Sequence, residues 1–284
     1  MTSKLIIIEG LPGSGKSTYA SWAGEILAGQ GMKANLFTEG NPDHPADYDG
    51  VACYSEAEYL RLLGDMEAYR PILENHSERR GEYRFIPYRK LKEAYAPDFP
   101  DELVGILMQT DVYELPFERN AEVIAEKWSH FADQAAAQDG IYIFECCFIQ
   151  NPLTVGLVKY NVPQTDVLEY VKRLEQSVLK LEPVLIYIDQ DDVERSFLKA
   201  VAERPREWAD GFIDYYTNQG YGLSRGLTGI EGTIEVLRHK RKLAGEIMGR
   251  LQIPTKVINN TAFDPVRGRS ELQGILESLI VTGG

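Results

Sequence analysis

Leu5-Ile6-Ile7-Ile8-Glu9-Gly10-Leu11-Pro12-Gly13-Ser14-Gly15-Lys16-Ser17-Thr18 is the stretch that decides how this chain is built. Four consecutive apolar residues before a Gly-rich turn predict a strand covered on both faces, as in a parallel sheet. Gly10 to Ser17 fits G-x-x-x-x-G-K-[ST] in full. Glycines let successive backbone N–H groups curl around an anion, and the helix that follows adds its positive end. Gly10, Pro12, Gly13, Ser14, Gly15, Lys16, Ser17 and Thr18 are therefore expected to hold the phosphates of a nucleoside triphosphate, ATP. Lys16 should reach the β- and γ-phosphates, and the Ser17 hydroxyl should hold Mg2+.

Working outward, a helix is expected from Lys16 to about Ala28, ended by Gly29 and Gly31. Ala34–Thr38 reads as a second strand. Further strands are expected at Ile141–Phe144, Val184–Ile188 and Lys256–Ile258, with helical periodicity between them. Buried strands alternating with helices predict an α/β fold with a doubly wound parallel five-stranded sheet. Residues 1–284 read as a single P-loop domain. The interval from about 51 to 138 is too long for a plain loop and is expected to be a mainly helical insertion between the second and third strands. A lid is expected at about 190–225.

The composition narrows the classes. A chain of 284 residues, 44% hydrophobic, can bury a sizeable core. A net charge of −13 argues against broad nucleic-acid binding. Cys53, Cys146 and Cys147 form no C-x-x-C pair and are odd in number, so no disulfide framework is expected and the pattern suits a reducing cytosol. The four histidines are scattered without zinc-ligand spacing. No apolar run approaches the roughly 20 residues that span a bilayer. Lys4 is followed by only four apolar residues before Glu9, which does not read as a leader. The expectation is a soluble, cytoplasmic protein; a homodimer is left open.

Ile6 to Thr18 resembles the opening of thymidylate kinases and deoxynucleoside kinases, which run from a buried strand through Glu-Gly into a loop ending Gly-Lys-Ser-Thr. The resemblance implies a P-loop kinase fold with strand order 2-3-1-4-5, and a nucleoside or nucleotide as acceptor. It also suggests roles for three further groups. Glu39, after the second strand, lies near a Pro as the base toward the attacking hydroxyl does in deoxynucleoside kinases, although here Glu39 and Pro42 are three apart. It reads equally as an exposed strand-end acid. Glu145 ends the third core strand, where those kinases have a Glu followed by Arg-Ser; here Cys146-Cys147 follows, so an Arg contribution is missing or comes from elsewhere. Glu145 is expected to hold Mg2+ or orient the nucleophile, with Asp189 as its rival. Arg195, Arg204 and Arg206, with Lys199, resemble the lid arginines that clamp a transferring phosphoryl group; the alternative is a solvated helix end.

Arg79-Arg80 and the run Tyr83 to Lys90 combine rings and cations, which suits either an acceptor pocket or a packing turn, and Arg119 is of the same kind. The functional expectation is an ATP- and Mg2+-dependent kinase acting on a small-molecule acceptor. The competing expectations are a P-loop ATPase switch acting on a protein partner and an RNA-directed kinase. The chain has no N-K-x-D stretch for guanine and no L-S-G-G-Q signature.

Overall fold

The computed structural model describes residues 3–97 and 99–281; the outermost residues of the expected 1–284 span lie outside them. Among the described residues eight strands follow in order: β1 (Leu5–Gly10), β2 (Ala34–Phe37), β3 (Ala52–Ser55), β4 (Glu78–Arg80), β5 (Tyr83–Ile86), β6 (Ile141–Glu145), β7 (Val184–Asp189) and β8 (Thr255–Asn259). The chain divides into two compact units. One runs up to Glu39 and resumes at Lys127; the other is Gly40–Glu126.

The first unit holds a five-stranded parallel sheet, in the order β2-β6-β1-β7-β8. Counted among themselves, these strands have the expected order 2-3-1-4-5. Every residue of β1 is buried, which is why that strand reads as an unbroken apolar run. The helix Lys16–Gly29 lays Tyr19, Ala20, Ala23 and Leu27 on one face of the sheet, joined by Leu272 and Leu276 of the helix Pro265–Val281. On the other face Trp128 and Phe131 pack against the Phe144 ring, at centroid distances of 5.8 and 4.7 Å.

The register fixes where chemistry can occur. Ile8 pairs with Glu145, Gly10 with Ile188, and Phe37 with Phe144. Glu145, Gly10, Asp189 and the turn carrying Glu39 therefore emerge at one edge of the sheet, the carboxyl ends of its strands, where open α/β sheets bind ligands.

The second unit covers most of the interval expected as a mainly helical insertion at about 51–138, and helices predominate there, but it also has strands that the expectation did not include. It contains a three-stranded antiparallel sheet, β3-β5-β4, packed with the helices Glu56–Asp65, Arg70–His76, Tyr88–Ala94 and Asp101–Met108. Its core includes Tyr54, Tyr59, Leu62, Ile86, Leu103 and Leu107. These strands are three or four residues long, too short for period-two alternation to stand out from the helical spacing around them. The Glu126–Lys127 boundary falls inside the helix Phe117–Ala136.

Candidate functional site

The phosphate loop follows β1. Gly10, at φ 158°, leaves no room for a side chain without a shift of its neighbours, because a Cβ there would lie 2.5 Å from Ser14 Oγ and 2.6 Å from the Ile188 carbonyl oxygen. Gly15 precedes the helix at φ 94°, left-handed backbone that favours glycine. Among the described residues, no backbone bond is made by the N–H groups of Gly13, Gly15, Lys16 or Ser17. Ser14 Oγ is buried without a partner. Free N–H groups at a helix start beside an unsatisfied hydroxyl suit polyphosphate.

A cavity of about 490 Å³ opens over this loop, lined by Lys16, Thr18 and Trp22 on one side and by Arg204, Asn260 and Phe263 on the other. Asn260 donates to the Ser14 carbonyl at 2.8 Å, tying the loop after β8 to the phosphate loop.

Lys16 is buried, and its Nζ lies 3.8 Å from Glu39 Oε2. Burial pushes its amine down, but the neighbouring Cys146, Glu39, Glu145 and Glu9 outweigh that and hold it above the ordinary lysine value. Ser17 Oγ donates to Glu145 Oε1 at 2.5 Å, and the Glu39 N–H donates to Glu145 Oε2 at 3.3 Å. Lys16, Ser17, Glu39 and Glu145 are thus brought together. The hydroxyl and carboxylate of Ser17 and Glu145 are hard oxygen donors that fit magnesium, which keeps most of its shell for phosphate and water.

Asp189, the rival to Glu145, is differently engaged. Its two oxygens accept from Arg241 Nε at 2.8 Å and Nη2 at 2.6 Å, and that guanidinium holds its carboxyl below the ordinary range despite partial burial.

Of the expected lid residues, Arg204 lines the cavity and stacks on Trp208, 4.2 Å from guanidinium to ring centroid. Lys199 lines it too, paired with Glu203 at 2.6 Å. Arg195 is exposed and does not line it; Arg206 is exposed and pairs with Asp210 one turn along its own helix. Of the cations expected in a lid, Arg204 and Lys199 thus line the cavity, while Arg195 and Arg206 take exposed helix positions away from it.

The basic residues of the second unit are engaged locally. Arg80 pairs with Glu78, Arg84 with Glu56, Arg89 with Asp49, Lys90 with Asp43 and Arg119 with Glu58. Phe85 is buried and stacks on Tyr48. This is the packing alternative.

Three side chains make contacts at the site that sequence reasoning did not assign, although Glu9 is part of the Glu-Gly opening noted above. Glu9 is fully buried and accepts from the N–H groups of Phe148 at 2.6 Å, Ile149 at 2.9 Å and Gln150 at 3.0 Å. Burial raises its carboxyl pKa against the lowering effect of those donors. Gln150 is buried, with Nε2 3.4 Å from Glu39 Oε1 and also bonded to Cys146 Sγ. Lys240 is 1% exposed. A signal for it existed: Val236, Leu237, Lys240, Leu243, Ala244 and Ile247 form one buried stripe on the helix Gly229–Met248. Lys240 stands on that stripe although its immediate neighbours are all basic.

No family model matches the chain, and no curated protein matches it. Among solved structures it is similar to thymidylate kinase from Candida albicans, at 10% identity over 98% of this chain and 92% of that one, with a TM-score of 0.44. A likeness at that level assigns neither a substrate nor a residue's role. The fold is a five-stranded parallel α/β sheet in the order β2-β6-β1-β7-β8, with the Gly-rich loop after its central strand.

Proposed function

We propose that the chain is an ATP- and Mg2+-dependent kinase that moves the γ-phosphoryl group to a hydroxyl or phosphate of a small acceptor, nucleoside- or nucleotide-like or another metabolite or antibiotic. The observation that carries this reading is the convergence of Ser17, Glu145, Lys16 and Glu39 at the mouth of the loop. A hydroxyl–carboxylate pair for the metal stands beside a cation for the phosphates and a half-exposed carboxylate for the acceptor.

In this reading the loop N–H groups and Lys16 hold the β- and γ-phosphates. Ser17 and Glu145 would hold magnesium, which would supply charge neutralisation for the transferring phosphoryl group. Arg204 and Lys199 cover the triphosphate side of the cavity. Glu39 orients the acceptor hydroxyl and takes its proton as the new O–P bond forms and the bond to the β-phosphate oxygen breaks. With a phosphate acceptor no proton need move, and Glu39 orients only.

The test is ATP consumption against pools of nucleosides, nucleotides, sugar alcohols and antibiotics. Consumption stimulated by one acceptor, with phosphorylated product in equal amount, is the expected result. Slow hydrolysis indifferent to every acceptor and altered only by a protein partner would overturn the reading.

A further inference from the structure

Lys240 is an ammonium group with almost no access to water and no carboxylate in contact. Its Nζ donates to the Thr154 hydroxyl and to the Tyr216 hydroxyl, the latter at 3.2 Å. It makes no ion pair among the described residues. Burying a cation against neutral hydroxyls costs several kcal/mol in general, so the position is expensive to maintain. A leucine would complete the apolar stripe of that helix at no such cost.

The contacts of its two partners show where the charge acts. Thr154 Oγ1 donates onward to the Gln150 carbonyl oxygen at 2.7 Å. Gln150 sits between Glu9, which accepts its backbone N–H, and Glu39, which its side-chain amide faces. Glu39 in turn stands beside Lys16. Tyr216 belongs to the helix Arg206–Thr217, which begins two residues after Arg204. One ammonium thus ties together the turn behind the acceptor-side carboxylate and the helix after the lid cation. The surrounding charged and titratable groups are Cys146, Lys16, Glu39 and Glu9, together with Tyr216.

We propose that Lys240 is a positioning residue for phosphoryl transfer, acting through Thr154 and Gln150 to hold Glu39 at the acceptor side of the site. The inference rests on the kinase reading above. Lys240 touches neither the phosphate loop nor the cavity over it, so it governs turnover and leaves donor binding alone. Its amine is pulled down to about 8, chiefly by burial, so the clasp loses its charge in a measurable pH range.

The test uses the full chain with the acceptor found above. Lys240→Met should lower kcat by about 10- to 100-fold, the scale of a misplaced catalytic group, with KM for ATP within about twofold of wild type by the same argument. Thr154→Val, which removes the connecting hydroxyl without altering charge, should reproduce that split and decides the matter if Lys240→Met does not fold. Combining Lys240→Met with Gln150→Ala should cost no more than the worse single change, because both cut one path. The wild-type kcat should fall above about pH 8, and Lys240→Met should lack that limb. Wild-type kcat in both Lys240→Met and Thr154→Val overturns the inference, as does a double variant whose losses multiply. Absence of acceptor phosphorylation in the wild type overturns the kinase reading and this inference with it; loss of the inference alone leaves wild-type transfer intact.

Discussion

Asp189 and Arg241 face each other as a two-pronged ion pair, with both carboxylate oxygens engaged by one guanidinium. Asp189 ends β7 as Glu145 ends β6, and the two acids look alike in sequence. One is held by an arginine from the helix Gly229–Met248; the other is bonded to the Ser17 hydroxyl of the phosphate loop. Asp189→Asn should therefore cost stability, about 1 kcal/mol for a partly exposed pair after solvent screening, and leave the magnesium requirement unchanged. Because its carboxyl is held below the ordinary range, the contribution is complete above the unfolded aspartate value and fades as pH falls through the folded one. Urea titrations at pH 7 and pH 3 of the two proteins check the sign.

Glu145→Gln should behave in the opposite way. It weakens an oxygen donor beside Ser17, so transfer should fall and partly recover as Mg2+ is raised. Glu39→Gln should lower transfer at every magnesium concentration, by about 10²- to 10⁴-fold if Glu39 acts as base. A magnesium titration of both variants side by side distinguishes them; the same response from both would merge their roles.

In the proposed site Lys16 meets the β- and γ-phosphates, and Lys16→Ala removes that cation. Transfer should fall by about 10²- to 10³-fold or more, the scale of losing one preorganised electrostatic contact, while circular dichroism and the melting temperature stay near wild type. Retained transfer would contradict the donor side of the proposed site.

Gly10→Ala is a backbone prediction. The added methyl would meet Ser14 Oγ and the Ile188 carbonyl at under 3 Å, so the loop or β7 must shift. Overpacking of this kind costs about 1–3 kcal/mol, and ATP affinity should fall with it. Isothermal titration and thermal melts on one sample give both numbers.

Lys240 also makes a prediction about stability. Its folded-state amine titrates near 8, against an ordinary value of 10.5. Between those values the unfolded chain binds the proton and the folded chain does not, so stability from this residue rises with pH across that window. Wild type should gain stability relative to Lys240→Met between pH 8 and pH 10 in denaturant titrations. A constant difference across that range would contradict the assigned environment.

Much of the main sheet was legible because its strands are buried on both faces. Such strands spell themselves as apolar runs, and the phosphate loop is local in sequence, so strand, turn and helix appear within fourteen residues. Glu145 was legible as the acid ending such a run. The choice between Glu145 and Asp189 turned on Arg241, fifty-two residues beyond Asp189, which no local pattern announces. Lys240 was obscured by Arg238, His239, Arg241 and Lys242, which spell a solvated helix face until the apolar stripe is followed through them. The sheet of the second unit was missed because β3 and β5 are only four residues each and their pairing spans thirty-four positions from Ala52 to Ile86.

Glu9 precedes Gly10 directly and holds three backbone amides of the turn that carries Gln150. In the proposed reading, the segment for the donor and the segment for the acceptor are therefore measured from the same peptide. A displacement of one half of the proposed site is passed to the other through this single side chain, so the spacing between the two reactants is referred to the end of β1.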